Sequence, residues 1–217
     1  DPQQRAVLAA RARHNPEPYN RSTFGTEASL ASLTAQRTRE WWGTYANPNG
    51  AIISIAGAIN PSQGIELITK HFGQWSGQAD APVIHATAPR GYAHEEDDTN
   101  QVQIIVVNDA PAAGTDYEMY ELLAVSVLSG GMSGRLFTEV REKRGLCYSV
   151  SASYRAEKEF GLVTSYVGTT PERAQESLDV LHEQLLAMQA GDVTHEELER
   201  ARIGLKSRVI FSGESTG

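Results

Sequence analysis

Apolar positions in this chain change period several times, and each change marks an expected element. Residues 2–13 carry Ala6, Leu8, Ala9 and Ala10 and read as a short helix, broken by Asn15-Pro16-Glu17-Pro18. Residues 19–27 read as loop. A second helical stretch runs over 34–45, and Asn47-Pro48-Asn49-Gly50 ends it. Ala51 to Ala58 is a short apolar run between turn signals, the pattern of a buried strand. Asn60-Pro61 supplies an N-cap and an N1 proline for a helix carrying Ile65, Ile68 and Phe72.

Residues 77–100 have the composition of a linker, with Pro82, Pro89, Gly91 and the acidic run Glu95-Glu96-Asp97-Asp98, read as a solvated loop. A β-branched strand follows at 102–107, then a helix over 117–128, a glycine-rich loop at 129–134 and a short helix over 135–143 stopped by Gly145. Runs 147–154 and 160–167 read as two strands joined by a hairpin-length connection. Thr170-Pro171 opens a long amphipathic helix through Leu178, Leu181, Leu185 and Met188. Thr194 and Glu197 have the spacing of a capping box for the last helix, whose inner face would carry Leu198, Ala201 and Leu205. Strand-then-helix at 51–75 and again at 102–128 is a coarse duplication. The sum is an α+β fold, a largely antiparallel sheet with helices packed on one face.

Composition narrows the function classes. A chain of 217 residues with 40% hydrophobic positions can bury a sizeable core. Nineteen Lys and Arg against 27 Asp and Glu give a net charge of −8, which argues against a general nucleic-acid or anionic-membrane binder. No apolar run approaches the ~18 residues needed to span a bilayer. The single cysteine, Cys147, excludes an internal disulfide framework and says little about redox compartment. Neither end resembles a natural terminus, so the sequence reads as a piece of a longer protein.

Several chemistries lack their residues. None of the six histidines lies three or four positions from another. His182-Glu183 and His195-Glu196 open like a zinc motif, but Leu186 and Glu199 stand where the second histidine belongs. The reversed motif, His-x-x-Glu-His, is absent too. The loop Ser129 to Gly134 has neither phosphate-loop nor dinucleotide spacing, and it misses a nucleophile elbow by one position. Cys147 has no histidine nearby in sequence and reads as a small strand residue.

The informative segment runs from Leu136 to Val150. Arg141 closes a helix and Tyr148 opens a strand, both directed into the Gly145 turn. A guanidinium and a phenol meeting there could donate hydrogen bonds to one carbonyl oxygen. The alternative is that Tyr148, in phase with Val150, Ala152 and Tyr154, belongs to the core while Arg141 is a solvated helix end. On the residues alone the alternation favours this second reading.

The stretch Leu128-Ser129-Gly130-Gly131-Met132-Ser133-Gly134-Arg135-Leu136-Phe137, continuing through Arg141-Glu142-Lys143-Arg144-Gly145-Leu146-Cys147-Tyr148-Ser149-Val150, closely resembles the second homologous domain of the pitrilysin/insulinase (M16) zinc peptidases. It looks most like their short bacterial and mitochondrial-processing-peptidase-like branch. Phe24-Gly25-Thr26-Glu27, Tyr45-Ala46-Asn47-Pro48-Asn49 and Ala56-Gly57-Ala58 resemble the end of the family's first domain, and Glu214-Ser215 its continuing last helix.

The resemblance implies the M16 metallopeptidase-like (LuxS-like metallohydrolase) fold. It divides the chain into the tail of domain one (1–78), a linker (79–98) and the front of a non-zinc domain two (99–217). It implies that Zn2+ is held upstream or in a partner subunit, with no metal site in this chain, and that the chain alone is inactive. It assigns Arg141 and Tyr148, seven residues apart, to binding the substrate backbone and the developing oxyanion. The implied partners are a peptide substrate and a homodimeric or heterodimeric M16 subunit. The alternative it leaves is a catalytically silent subunit that supplies the Arg–Tyr pair or a scaffold to a zinc-bearing partner. Compartment stays open between bacterial cytoplasm and periplasm. The duplication further suggests that 34–75 fills the missing half of the fold begun at 101.

Overall fold

The computed structural model describes residues 1–77 and 90–214. Residues 79–89 of the expected linker, with Pro82 and Pro89, lie outside the described residues, as does Ser215.

The frame is a three-stranded antiparallel sheet of β1 (Val102–Ala110), β2 (Cys147–Ala156) and β3 (Gly161–Thr169) in the order β1-β3-β2. The central strand is nearly all buried, because both its edges are paired and helices cover one of its faces. Alternation sorts the side chains. Ile104, Val106, Val150, Tyr154, Val163 and Val167 face α5 (Glu118–Ser129) and α6 (Ala174–Gln189). Leu136, Val140, Val167 and Leu181 are wholly buried at the centre of that layer. α7 (His195–Gly213) packs on α5 from outside, with Ala201 as its buried contact. Leu198 and Leu205 sit at the edge of that contact rather than inside it.

The opposite face of the sheet is unevenly covered. α1 (Pro2–His14) starts at the cap Asp1, which accepts from Gln3 N, and packs over the β1 edge. A cavity of about 310 Å3 lies between α1, the loop after it, and Val107, Leu162 and Thr164 of the sheet. Charged groups pin α1 in place. His14 Nε2 lies 3.1 Å from Asp109 Oδ1, and Arg90 donates to both oxygens of the same carboxylate. The acidic run is exposed as expected, yet two of its members hold a cation: Arg5 sits 2.9 Å from Asp97 and 3.6 Å from Glu95. The far end of this face, toward the start of β2, is left open.

Residues 24–75 behave differently from the reading of 51–58 as a buried strand. They form α2 (Glu27–Ala31), α3 (Ala35–Tyr45) and α4 (Pro61–Phe72), with the expected Asn60 cap and Pro61 at N1. Ala51 to Ala58, however, pairs with no described strand, and Ile52 is 89% exposed. A strand needs a neighbour to take its N–H and C=O groups, and none among the described residues pairs with this run. Trp41, Trp42, Tyr45 and Ile65 are exposed as well. The segment 34–75 therefore adds no strand to the sheet begun at 101, contrary to the expectation drawn from the duplication.

Candidate functional site

The site is built where the helix before Gly145 turns into β2. The segment 137–142 is a helix wound one residue wider per turn than an α-helix; Lys143 N donates to Thr138 O at 2.9 Å. Such turns are rare and recur at functional sites. It buries Val140 and leaves Arg141 exposed. Gly145 then reverses the chain with φ +60, a conformation that favours glycine.

The turn is clamped from beneath. Thr169 Oγ1 donates to Leu146 O at 2.5 Å, Ser177 Oγ donates to the same oxygen at 3.3 Å, and Arg173 donates to Gly145 O. Thr169 and Ser177 are fully buried, so these bonds form in a low dielectric where an unmade one is costly. They fix the point at which β2 begins.

At that point β2 carries an extra residue. Cys147 pairs with Thr169, but Ser149 pairs with Gly168, so Tyr148 is the bulged position. A bulge shifts the alternation by one. Cys147 and Val150 turn toward the core, and Tyr148 turns to the open face. The reading of Tyr148 as a core residue in phase with Val150, Ala152 and Tyr154 is thereby overturned; the side chain is 44% exposed.

On the open face Tyr148 joins Gln101, Gln103 and Tyr166. Gln103 Nε2 donates to Tyr148 Oη at 2.8 Å, Tyr166 Oη donates to Gln103 Oε1 at 2.7 Å, and Tyr148 Oη donates to Gln101 Oε1 at 3.2 Å. The cluster lies over Gly168. A Cβ there would come within 2.5 Å of the Tyr148 phenol and would also strike Tyr166 Oη, so this strand glycine is a consequence of the two rings crossing it. Burial, with the neighbouring Tyr148 phenol second, pushes the Tyr166 phenol well above its ordinary range.

Arg141 lies on the helix that leads into the Gly145 turn. Its guanidinium lies 5.0 Å from the centre of the Phe137 ring, a cation–π contact. Its neighbours Lys143 and Arg144 both pair with Glu139, at 2.6 and 2.8 Å, and hold that carboxyl below its usual range. Among the described residues Arg141 has no carboxylate partner. Burial pushes the Cys147 thiol up, and the positive charge of Arg141 opposes that rise. The Gly145 turn thus has an exposed guanidinium on the helix before it and a partly exposed phenol on the strand after it.

Gln101, Gln103, Tyr166 and Gly168 escaped the sequence reading. A signal existed for Gly168, since a glycine inside a strand marks close approach of another group. Among the described residues no three His, Cys, Asp or Glu side chains are grouped so as to hold a metal, and no helix is long and apolar enough to cross a membrane.

An antiparallel sheet layered with helices defines an α+β domain. The sequence profile of the peptidase M16 inactive domain matches residues 32–205, and the chain belongs to that family. It is 29% identical over 213 residues to the uncharacterized zinc protease YmxG of Bacillus subtilis, covering 96% of this chain and 51% of that protein. An uncharacterized zinc protease of Streptomyces coelicolor is 28% identical over 207 residues, covering 91% of this chain and 45% of its own. The chain thus spans about half the length of these relatives. Among solved structures, the peptidase M16 inactive domain from Pseudomonas fluorescens superposes with a TM-score of 0.81 at 21% identity, over 95% of this chain and 51% of that one. A protease from Helicobacter pylori gives 0.83 at 20% identity, over 98% and 53%. These last two establish the fold.

Proposed function

We propose that this chain is the substrate-holding, non-zinc half of a zinc-dependent endopeptidase, and that Arg141 and Tyr148 bind the peptide carbonyl under attack. The observation that carries the proposal is the β2 bulge, which takes Tyr148 out of the core and turns it to the open face, while Arg141 is exposed on the helix that leads into the same Gly145 turn. Two donors flanking one turn suit an oxygen that gains negative charge in the transition state. The cation–π contact with Phe137 holds the guanidinium without neutralising it, so its charge is available to an incoming carbonyl. The relatives named as zinc proteases are about twice as long, which supports a zinc site in a segment outside this chain. Zinc bound there would activate water; this chain would orient the peptide and stabilise the oxyanion on the opposite side.

The test is Tyr148→Phe in the longer protein that contains this chain. Removing one oxyanion donor costs about 3 kcal/mol of transition-state stabilisation, so kcat falls roughly a hundredfold with zinc content unchanged. A fall of less than about threefold rejects the role.

A second reading is a silent subunit that lends the pair to a zinc-bearing partner. Zinc stoichiometry of the longer protein separates the two. One zinc per chain supports the single-chain peptidase, and none after purification in zinc-supplemented buffer supports the subunit.

A further inference from the structure

From the bonding around the phenol we infer that Gln103 is a positioning residue that fixes the polarity of Tyr148, making it a hydrogen-bond donor toward the open face. The inference rests on the clamp reading above and names what makes that clamp work.

A phenol oxygen both donates and accepts, so a neighbour decides which edge it offers a ligand. Tyr166 is 6% exposed, and its hydroxyl proton goes to Gln103 Oε1 at 2.7 Å. That bond uses the acceptor end of the carboxamide. The donor end is then left to face Tyr148, and Nε2 meets Tyr148 Oη at 2.8 Å. The same Nε2 lies 3.4 Å from Gln101 Oε1, an acceptor that a reversed amide would confront with a second acceptor. With a lone pair of Tyr148 engaged, its own proton must point elsewhere. It reaches Gln101 Oε1 at 3.2 Å, long for an O–H···O bond, whose usual length is about 2.7–2.8 Å. A carbonyl oxygen gaining charge is the stronger acceptor and displaces so weak a partner.

Register makes the arrangement possible. Gln103 pairs directly with Gly168, the one position of β3 over which the amide and both rings can meet without a Cβ between them.

Two substitutions of similar size separate polarity from packing. Gln103→Glu keeps the length of the side chain and can accept from both phenols, but it cannot donate, so it draws the Tyr148 proton inward. Gln103→Met neither donates nor accepts. In the longer protein, fixing polarity predicts that kcat for Gln103→Glu falls tenfold or more, below that of Gln103→Met, with KM changed less than about threefold. A packing role predicts the reverse order, and Met equal to or worse than Glu overturns the inference.

A second readout needs no activity. In the 217-residue chain labelled with 13Cζ-tyrosine, with Tyr148 and Tyr166 assigned by Phe substitution, Gln103→Met is expected to move both resonances and leave Tyr92 in place. A stationary Tyr148 resonance overturns the positioning role. If Tyr148 moves but Tyr148→Phe leaves kcat intact, the clamp reading fails and this inference falls with it.

Discussion

Replacing Glu197 with glutamine isolates one charge at a junction that holds three elements together. Glu197 is the third residue of α7, where its Oε2 accepts from Thr194 N at 2.9 Å and Thr194 Oγ1 accepts from Glu197 N at 3.2 Å. It also takes Arg135 in a two-point pair, Nε to Oε1 at 2.8 Å and Nη2 to Oε2 at 2.6 Å. Arg135 donates further to Asp192 O at 2.7 Å. The side chains are 9% and 17% exposed, so water screens the pair little.

The Arg135 guanidinium, with the Thr194 donors behind it, holds the Glu197 carboxyl down at about 2, against an ordinary 4.5. At about 1.36 kcal/mol per pH unit that is roughly 3 kcal/mol of stability at neutral pH. Glutamine at the third position still serves the capping box through its one oxygen, so the cap survives while the charge and one of the two Arg135 bonds are lost. Urea unfolding followed by circular dichroism should show the variant less stable by about 2–3 kcal/mol at pH 7. The sign of the pH dependence follows from the depressed carboxyl. Its contribution is complete above about 4.5 and is lost as pH falls through about 2, so the gap between wild type and variant narrows over that window. A loss below about 1 kcal/mol at pH 7, or a gap that stays constant to pH 2.5, refutes the reasoning.

The remaining predictions concern packing and the open end of the sheet. Leu181→Ala, which empties a wholly buried position, is expected to cost about 2–5 kcal/mol in thermal or urea unfolding, whereas Ile52→Ala should change stability by less than about 0.5 kcal/mol; equal costs would restore 51–58 to the core. Gly168→Ala forces the Tyr148 and Tyr166 rings aside and should destabilise by about 1–3 kcal/mol, with displaced Tyr148 resonances as the structural readout. Arg141→Ala removes the charge that opposes the rise of the Cys147 thiol, so disulfide-reagent labelling of Cys147 near pH 8 should slow severalfold; an unchanged rate would place Arg141 elsewhere.

The parts legible in the sequence were those decided locally. Asn60-Pro61 and Thr194 with Glu197 mark helix starts by their own hydrogen bonds, and the β-branched run at 102 and the alternating runs at 147 and 160 carry strand pattern. Ala51 to Ala58 failed because a strand is a pairing, and pattern cannot tell whether a partner arrives. Tyr148 failed on residues alone for a related reason. Its alternation with Val150 and Tyr154 is real, but the extra residue at the Cys147–Ser149 step is set by Thr169, Ser177 and Arg173 from other elements. The residues alone raised Arg141 and Tyr148 as a donor pair but favoured the core reading, and the resemblance of 128–150 to a known domain reversed that preference. The Gln103 and Tyr166 contacts depend on register, which no local pattern specifies.

The central claim is that peptide substrate lies on the open face against Tyr148. The most direct measurement is photocrosslinking in the longer protein with p-azidophenylalanine in place of Tyr148, and at exposed Tyr92 as control, in the presence of a labelled peptide substrate. The account predicts label captured at position 148, suppressed by unlabelled peptide, and none competed at position 92. Competable label at 92 with none at 148 would contradict it.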